Sequence, residues 1–374
     1  MIKVLTVLGT RPEIIKMSLV LNEFDKAFKH IVVHTGQNYD YELNKIFFDD
    51  LNIKKPKYFL NSKSQSAIKT ISIILEKIEG ILKKEKPNAF VIYGDTNSCL
   101  SAYVAKRLKI PIFHFEAGNR CFDENVPEEI NRKIIDHISD INFVISKNAR
   151  NYLISEGIKQ NLIIKTGSHL KEVIHNYNQK IENSTILNKL NLEKNNYIVA
   201  SIHREENVED KDVFYSILSS FKKISKIYKK KIIFSLHPRS KKKIKNLNIK
   251  LNLENIYFSK PFGFFDYLNL QKNSFCTISD SGTISEESYL LKFPAISLRN
   301  NNERPEAIDS GTLITSGLKV NTIIESIKLI DKNRKKYLSH NTIKDYEVSN
   351  VSSVAVKSIF TFIDYINRTV WNKQ

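Results

Sequence analysis

A chain of 374 residues with 41% hydrophobic content is long enough to bury the cores of two domains. Its 58 basic and 40 acidic residues leave a net charge of +18, but the lysine runs Lys222 to Lys231 and Lys241 to Lys245 have helical period and no interleaved stacking aromatics, so they read as solvated faces and no nucleic-acid partner is expected. Cys99, Cys121 and Cys276 lack CxxC spacing, no apolar run approaches the ~18 residues of a membrane span, and no leader precedes MIKVLTVLG, so disulfide framework, zinc site and membrane partner are excluded and a complete cytoplasmic protein is expected.

The first element, Lys3 to Leu8, is a β-branched and leucine-rich strand ending at Gly9. Thr10-Arg11-Pro12-Glu13 then turns into a helix, with Pro12 suited to its first position. Arg11 and Lys16 place cations beside the backbone N–H groups of that helix start, an arrangement suited to phosphate. No GxGxxG follows the strand, and the chain has only 11 glycines, so a dinucleotide-binding dehydrogenase is disfavoured. A second strand, Ile31 to His34, runs into the polar turn Thr35 to Asp40, and His34 reads as a satisfied strand-end histidine.

Residues 88 to 132 are the centre of the chain. Ala89 to Gly94 and Pro111 to Phe115 are short apolar runs separated by a helical stretch of roughly a dozen residues, a βαβ unit with parallel strands. Asp95 and Glu116 follow these strands directly, and Glu128 follows Pro127 at the next helix start. Ligands of open α/β sheets lie outside the carboxyl edge of the strands, so the three acids are expected to face one pocket. Three such acids suit proton transfer on two faces of one substrate, although Asp95 or Glu128 alone reads equally well as a helix cap.

Strands at Ile141 to Ile145 and Ile163 to Thr166 complete a first domain over residues 1–167. After a lysine- and asparagine-rich helical section the βα alternation restarts at Tyr197 to Ile202, giving a second domain over 168–353. This strand ends in His203-Arg204-Glu205-Glu206-Asn207, and Lys231 to Leu236 ends in His237-Pro238-Arg239. The two histidines suit either a metal pair or a phosphate-facing edge. Phosphate is favoured because no HExxH or third ligand at useful spacing is present. Phe275 to Ser279 runs into Asp280-Ser281-Gly282-Thr283 at a helix start, where N–H groups and hydroxyls can hold a pyrophosphate and Glu287 can reach ribose hydroxyls. An ordinary Ser cap with a capping-box Glu explains that motif as well. Ala295 to Leu298 leads to Arg304, another cation, and an amphipathic helix over 354–374 can pack back across the domains and complete the first of them.

GTRPE (Gly9 to Glu13), HTGQNYD (His34 to Asp40), GDT (Gly94 to Thr96), HFEAGNR (His114 to Arg120), PEEINR (Pro127 to Arg132), HREEN, HPR, SDSGTISEE and ERPEA stand in order over roughly residues 1 to 310. Together they resemble the non-hydrolysing UDP-N-acetylglucosamine 2-epimerase family. The resemblance implies an α/β fold of two Rossmann-like domains, of the glycosyltransferase B type, with the nucleotide sugar in the cleft between them. It implies a homodimer and no cofactor or metal. By motif, Asp95, Glu116 and Glu128 match the family's catalytic acids. His203, Arg11, Lys16, Ser281, Gly282, Thr283, Glu287 and Arg304 match positions that hold UDP or assist its departure, and Arg132 and His237 are assigned to substrate binding with them. Thr283 departs from the second Gly usual in the family.

The mechanism implied is elimination before inversion: departure of UDP acidifies the hydrogen on carbon 2, and a 2-acetamidoglycal forms and is reprotonated from the other face. The wording HTGQNYDYELN, EAGNRCFDENVPEE and SDSGTISEES, with Asn119, Thr283 and Ser285, is closer to the branch forming UDP-N-acetyl-L-fucosamine for capsule or O-antigen than to the branch reading EAGLR and DSGGxQEE. A UDP-N-acetylglucosamine 2-epimerase and a UDP-sugar glycosyltransferase of the same architecture remain the alternatives.

Overall fold

The apolar runs become parallel strands because each is covered on both faces, which removes the need for alternating polar residues. In this computed structural model, which describes residues 1–37, 47–247, 255–337 and 342–373, every strand expected above is present within a residue or two. Residues 38–40 of the HTGQNYD motif and its extension over 41–44 lie outside the described residues.

The chain divides into two units, Met1–His175 with Lys344–Gln374, and Asn176–Ile343. The first unit carries a seven-stranded parallel sheet of order β3-β2-β1-β4-β5-β6-β7, built from β1 (Lys3–Leu8), β2 (Lys29–His34), β3 (Tyr58–Phe59), β4 (Ala89–Tyr93), β5 (Ile112–Ala117), β6 (Ile141–Val144) and β7 (Ile163–Lys165). The second carries a six-stranded parallel sheet of order β10-β9-β8-β11-β12-β13. Its strands are β8 (Tyr197–Ile202), β9 (Lys231–Leu236), β10 (Ile256–Ser259), β11 (Cys276–Ser279), β12 (Ala295–Ser297) and β13 (Leu313–Thr315). Both units are Rossmann-like, as the sequence implied.

Three strands escaped the sequence reading, β3, β10 and β13. All three lie at sheet edges and are only partly buried, so they lack the continuous apolar run that marks a central strand. The expected helix between β4 and β5 is split into a 3-10 turn, Asn97–Ser101, and a helix, Ala102–Arg107.

The return to the first unit comes earlier than residue 354. Asp345 accepts the backbone N–H of Lys147 at 2.9 Å, pairs with Lys165, and receives Ser168 N on its carbonyl at 3.0 Å. Gly167, at φ +80°, passes so close to Val348 that a Cβ would lie 2.6 Å from its side chain. The helix Val351–Thr369 then packs on the helix Arg11–Ala27, with the Phe360 and Phe28 rings tilted against each other at 5.1 Å, so it completes the first sheet's helical layer. Among the described residues no helix is long and apolar enough to cross a membrane. Ile359 is fully buried in that helix. Replacing it with Ala is expected to lower the unfolding free energy by about 2–5 kcal/mol, read from urea denaturation.

Candidate active site

In the first sheet the strand order switches direction between β1 and β4, the place where a doubly wound sheet opens its crevice. The residues leaving these strands are Gly9-Thr10-Arg11 and Gly94-Asp95-Thr96, and Glu13 ties them together. Its carboxylate accepts Gly9 N at 2.6 Å, the Thr10 hydroxyl at 2.9 Å and the Thr96 hydroxyl at 2.7 Å. Glu13 is buried, and desolvation raises its carboxyl to about 7 against the opposing pull of those three hydrogen bonds. The backbone N–H expected to meet phosphate at this turn thus meets the chain's own acid. Gly9 is required here, since a Cβ would lie 1.7 Å from Ser98 Oγ. Nothing in GTRPE by itself marks Glu13 as the group that joins two strand ends.

Asp95 follows Gly94, which turns the chain at φ +69°. Arg132 grips its Oδ2 through Nε and Nη2, both at 2.7 Å, and Asn131 donates to its carbonyl at 2.8 Å. Glu116 lies within β5 rather than after it. The register with β6 shifts between Phe115 and Ala117, and Glu116 takes φ +64°, a left-handed bulge that re-aims its side chain. Lys16, buried on the first helix, donates to both Glu116 oxygens at 3.1 and 3.3 Å and lies 5.8 Å over the Tyr93 ring. The acids at the ends of neighbouring strands β4 and β5 therefore each have a buried cation.

Glu128 is half-buried in the first turn of the helix Pro127–Ile138. Its neighbour Glu129 is fully buried and accepts Cys121 N, Phe122 N and Arg132 Nη1 at 3.1, 3.0 and 2.9 Å, so it holds the preceding loop in place. Arg132 bridges Glu129 and Asp95, which sets it within the acid cluster. Asp136 on the same helix accepts Arg120 Nη1 at 2.7 Å and Gly118 N at 3.1 Å and lies 3.0 Å from His114 Nδ1; those partners outweigh its burial and keep it below the usual carboxylate range. Arg11 is half-buried, 5.5 Å over the Phe47 ring. His34 is buried, stacked 4.8 Å from Phe59, and burial lowers it to about 4, in keeping with a neutral strand-end histidine.

The second sheet switches between β8 and β11. His203 leaves β8, His237 leaves β9, and Asp280 to Thr283 leave β11 for the helix Ile284–Leu291. The rings of His203 and His237 are 5.6 Å apart. Among the described residues no three His, Cys, Asp or Glu side chains gather as a metal site. Asp280 is fully buried and accepts His203 N, Arg204 N and Asn207 Nδ2 at 3.0, 2.9 and 3.1 Å. Burial opposes its ionisation, but His203 and these donors prevail and hold it well below the usual carboxylate range. Thr283 adopts φ −76°, ordinary backbone that does not demand glycine. Its hydroxyl meets Ser281 Oγ at 3.0 Å and donates to Glu287 Oε1 at 2.7 Å, while Gln271 donates to Glu287 Oε2 at 2.8 Å. Gly282 approaches Glu303, where a Cβ would lie 2.6 Å from Oε1. Arg304 is buried and ion-paired with Glu286, so it lies inside the second unit's packing.

A sequence model of the UDP-N-acetylglucosamine 2-epimerase family matches residues 22–359. A solved structure titled UDP-N-acetylglucosamine 2-epimerase from Rickettsia bellii is 48% identical, covers 100% of both chains and superposes with a TM-score of 0.91. The Methanocaldococcus jannaschii UDP-GlcNAc 2-epimerase, solved in complex with UDP-GlcNAc and UDP, is 36% identical over 97% of this chain and 100% of its own, with a TM-score of 0.89. The UDP-2,3-diacetamido-2,3-dideoxy-D-glucuronate 2-epimerase of Pseudomonas aeruginosa is 32% identical over 87% of this chain and 91% of its own.

Glu13 generates a pH test. A carboxyl raised in the folded state stabilises the fold fully below its unfolded value of 4.5, and that stabilisation is lost as pH rises through about 7. The separation corresponds to about 3 kcal/mol. Urea midpoints of Glu13→Gln measured from pH 4.5 to 8 are expected to lack this component of the wild-type decline.

Proposed function

We propose that this chain, which belongs to the UDP-N-acetylglucosamine 2-epimerase family, inverts carbon 2 of a 6-deoxy sugar, converting UDP-2-acetamido-2,6-dideoxy-β-L-talose to UDP-N-acetyl-β-L-fucosamine. As a UDP-sugar 2-epimerase the protein is an isomerase. The observation that carries the mechanistic reading is the pair of carboxylates at the ends of adjacent strands, Asp95 held by Arg132 and Glu116 held by Lys16, with Glu128 one turn before Arg132 on the same helix.

In this scheme the bond from carbon 1 to the diphosphate oxygen breaks with its electron pair leaving on UDP. One carboxylate takes the proton from carbon 2, and the 2-acetamidoglycal forms. A second acid protonates carbon 2 from the opposite face, and UDP returns to carbon 1. Backbone N–H groups and hydroxyls of Ser281 to Thr283, with His203, are assigned to the diphosphate, where negative charge grows as the bond breaks. No redox step is needed, because the carbon 2 proton is removed and restored within one cycle.

The sugar assignment draws on the loop after β5 and the loop after β11. Asn119, three residues beyond Glu116, is buried with its carbonyl accepting Arg120 Nη1 at 2.8 Å, so it is not a surface loop residue. Ser285 is also buried and donates to the Gly282 carbonyl at 3.1 Å, and Thr283 anchors Glu287. These are the positions at which the sequence is worded like the L-fucosamine branch. The second reading, epimerisation of UDP-N-acetylglucosamine, is favoured by the names of the Rickettsia bellii and Methanocaldococcus jannaschii structures. The Pseudomonas aeruginosa relative, named for a diacetamido uronate, indicates that identity near 32% leaves the sugar open.

Each UDP-sugar, incubated separately with the protein in deuterated buffer and followed by proton NMR, separates the two readings. Deuterium is expected at carbon 2 of the talo sugar, and exchange into UDP-N-acetylglucosamine alone would transfer the assignment to the second reading. Asp95→Asn, Glu116→Gln and Glu128→Gln are each expected to cut turnover by ~100 to 10,000-fold with unchanged circular dichroism. Near-normal turnover in all three would remove this mechanism.

A further inference from the structure

Asp280 does more than its burial requires. Its carboxylate already accepts the backbone N–H groups of His203 and Arg204 and the amide of Asn207, which itself donates to the Leu298 carbonyl at 3.1 Å. Its own carbonyl accepts Arg204 Nε at 3.2 Å and Arg299 Nε at 2.8 Å. Held on both sides, the group cannot swing away. A further contact remains: the ring Nδ1 of His203 lies 3.0 Å from Asp280 Oδ1. This is an ion-pair distance, and a carboxylate so placed favours the forms of the ring that carry a hydrogen on Nδ1. His203 is 36% exposed, and an ion pair with so open a ring adds little to the fold. What the contact bears on is the ring's orientation and tautomer, and with Nδ1 engaged Nε2 is the nitrogen left for a ligand.

The neighbouring ring is set the other way. Arg239 N donates to His237 Nδ1 at 3.3 Å, so Nδ1 accepts there and the hydrogen belongs on Nε2. Arg239 also donates through Nη1 to the His203 carbonyl at 2.7 Å, which ties the two strand ends together.

We propose that Asp280 is a positioning residue for the reaction: it holds the His203 ring by Nδ1 so that Nε2 meets the diphosphate oxygen on which the electron pair arrives when the bond to carbon 1 breaks. Protonated at Nε2, the ring places one N–H on that oxygen and the other on Asp280, and the carboxylate stabilises the imidazolium. The proton stays on the ring, and UDP leaves and returns without net proton transfer at this point. The inference rests on the functional reading above, in which His203 faces the diphosphate.

The full-length chain tests it in three measurements, after wild-type turnover of both UDP-sugars has been recorded. Imidazole nitrogen NMR of the wild type is expected to place the His203 hydrogen on Nδ1. Asp280→Asn is expected to lower kcat ~100-fold or more while KM stays within about threefold, because the lost interaction acts at the transition state. The double variant Asp280→Asn/His203→Gln is expected to lose no more kcat than His203→Gln alone, since residues acting through one another are not additive. Losses that multiply in the double variant, or a wild-type hydrogen held on Nε2 alone, overturn the proposal. Should circular dichroism show that Asp280→Asn does not fold, the wild-type tautomer decides by itself. A wild type that turns over neither sugar overturns the functional reading and the role given to His203 with it, whereas an active wild type with multiplying losses overturns only this inference.

Discussion

A buried carboxylate is tolerable only when its oxygens are met by donors, and in each unit one such group joins the two strand ends at which the sheet switches direction. In the first unit Glu13 accepts Gly9 N beyond β1 and the Thr96 hydroxyl beyond β4. In the second, Asp280 beyond β11 accepts His203 N and Arg204 N beyond β8. Removing either acid would leave converging N–H groups without partners at the point where the crevice opens. The loops leaving those strands are thereby tied to one another across the switch.

The same device gives the two units different electrostatic characters. At the first sheet's edge the N–H of the N-terminal turn already meets Glu13, and Lys16 and Arg132 are paired with Glu116 and Asp95. That edge gathers carboxylates and cations in pairs. At the second sheet's edge Asp280 is enclosed, while hydroxyls of Ser281 and Thr283 and the ring of His203 surround the loop opening a helix. Such an edge suits an anion.

Much of this was legible in residues alone. The central strands show as unbroken apolar runs, and Asp95, Glu116, His203 and Ser281 show as polar residues at or just beyond their carboxyl ends. Edge strands such as Tyr58–Phe59 and Leu313–Thr315 did not show, because half-exposed strands carry no continuous apolar signal. Nor did the bulge at Glu116: nothing in FHFEAG announces a left-handed glutamate, and the register shift that produces it is a property of the pairing with β6.

The sequence by itself determined the class of fold, the chain order of the motifs and the chemical types gathered after each strand, because strand periodicity and strand-end position are local properties. Only the tertiary structure decided which of two adjacent glutamates is locked away, that Glu129 braces a loop while Glu128 stays half-buried, and that the cation Arg304 is buried and ion-paired with Glu286. It alone revealed that Glu13 and Asp280 bridge strand ends far apart in sequence. Those outcomes depend on which donors meet a carboxylate across the sheet, and such a meeting is written in no single stretch of chain.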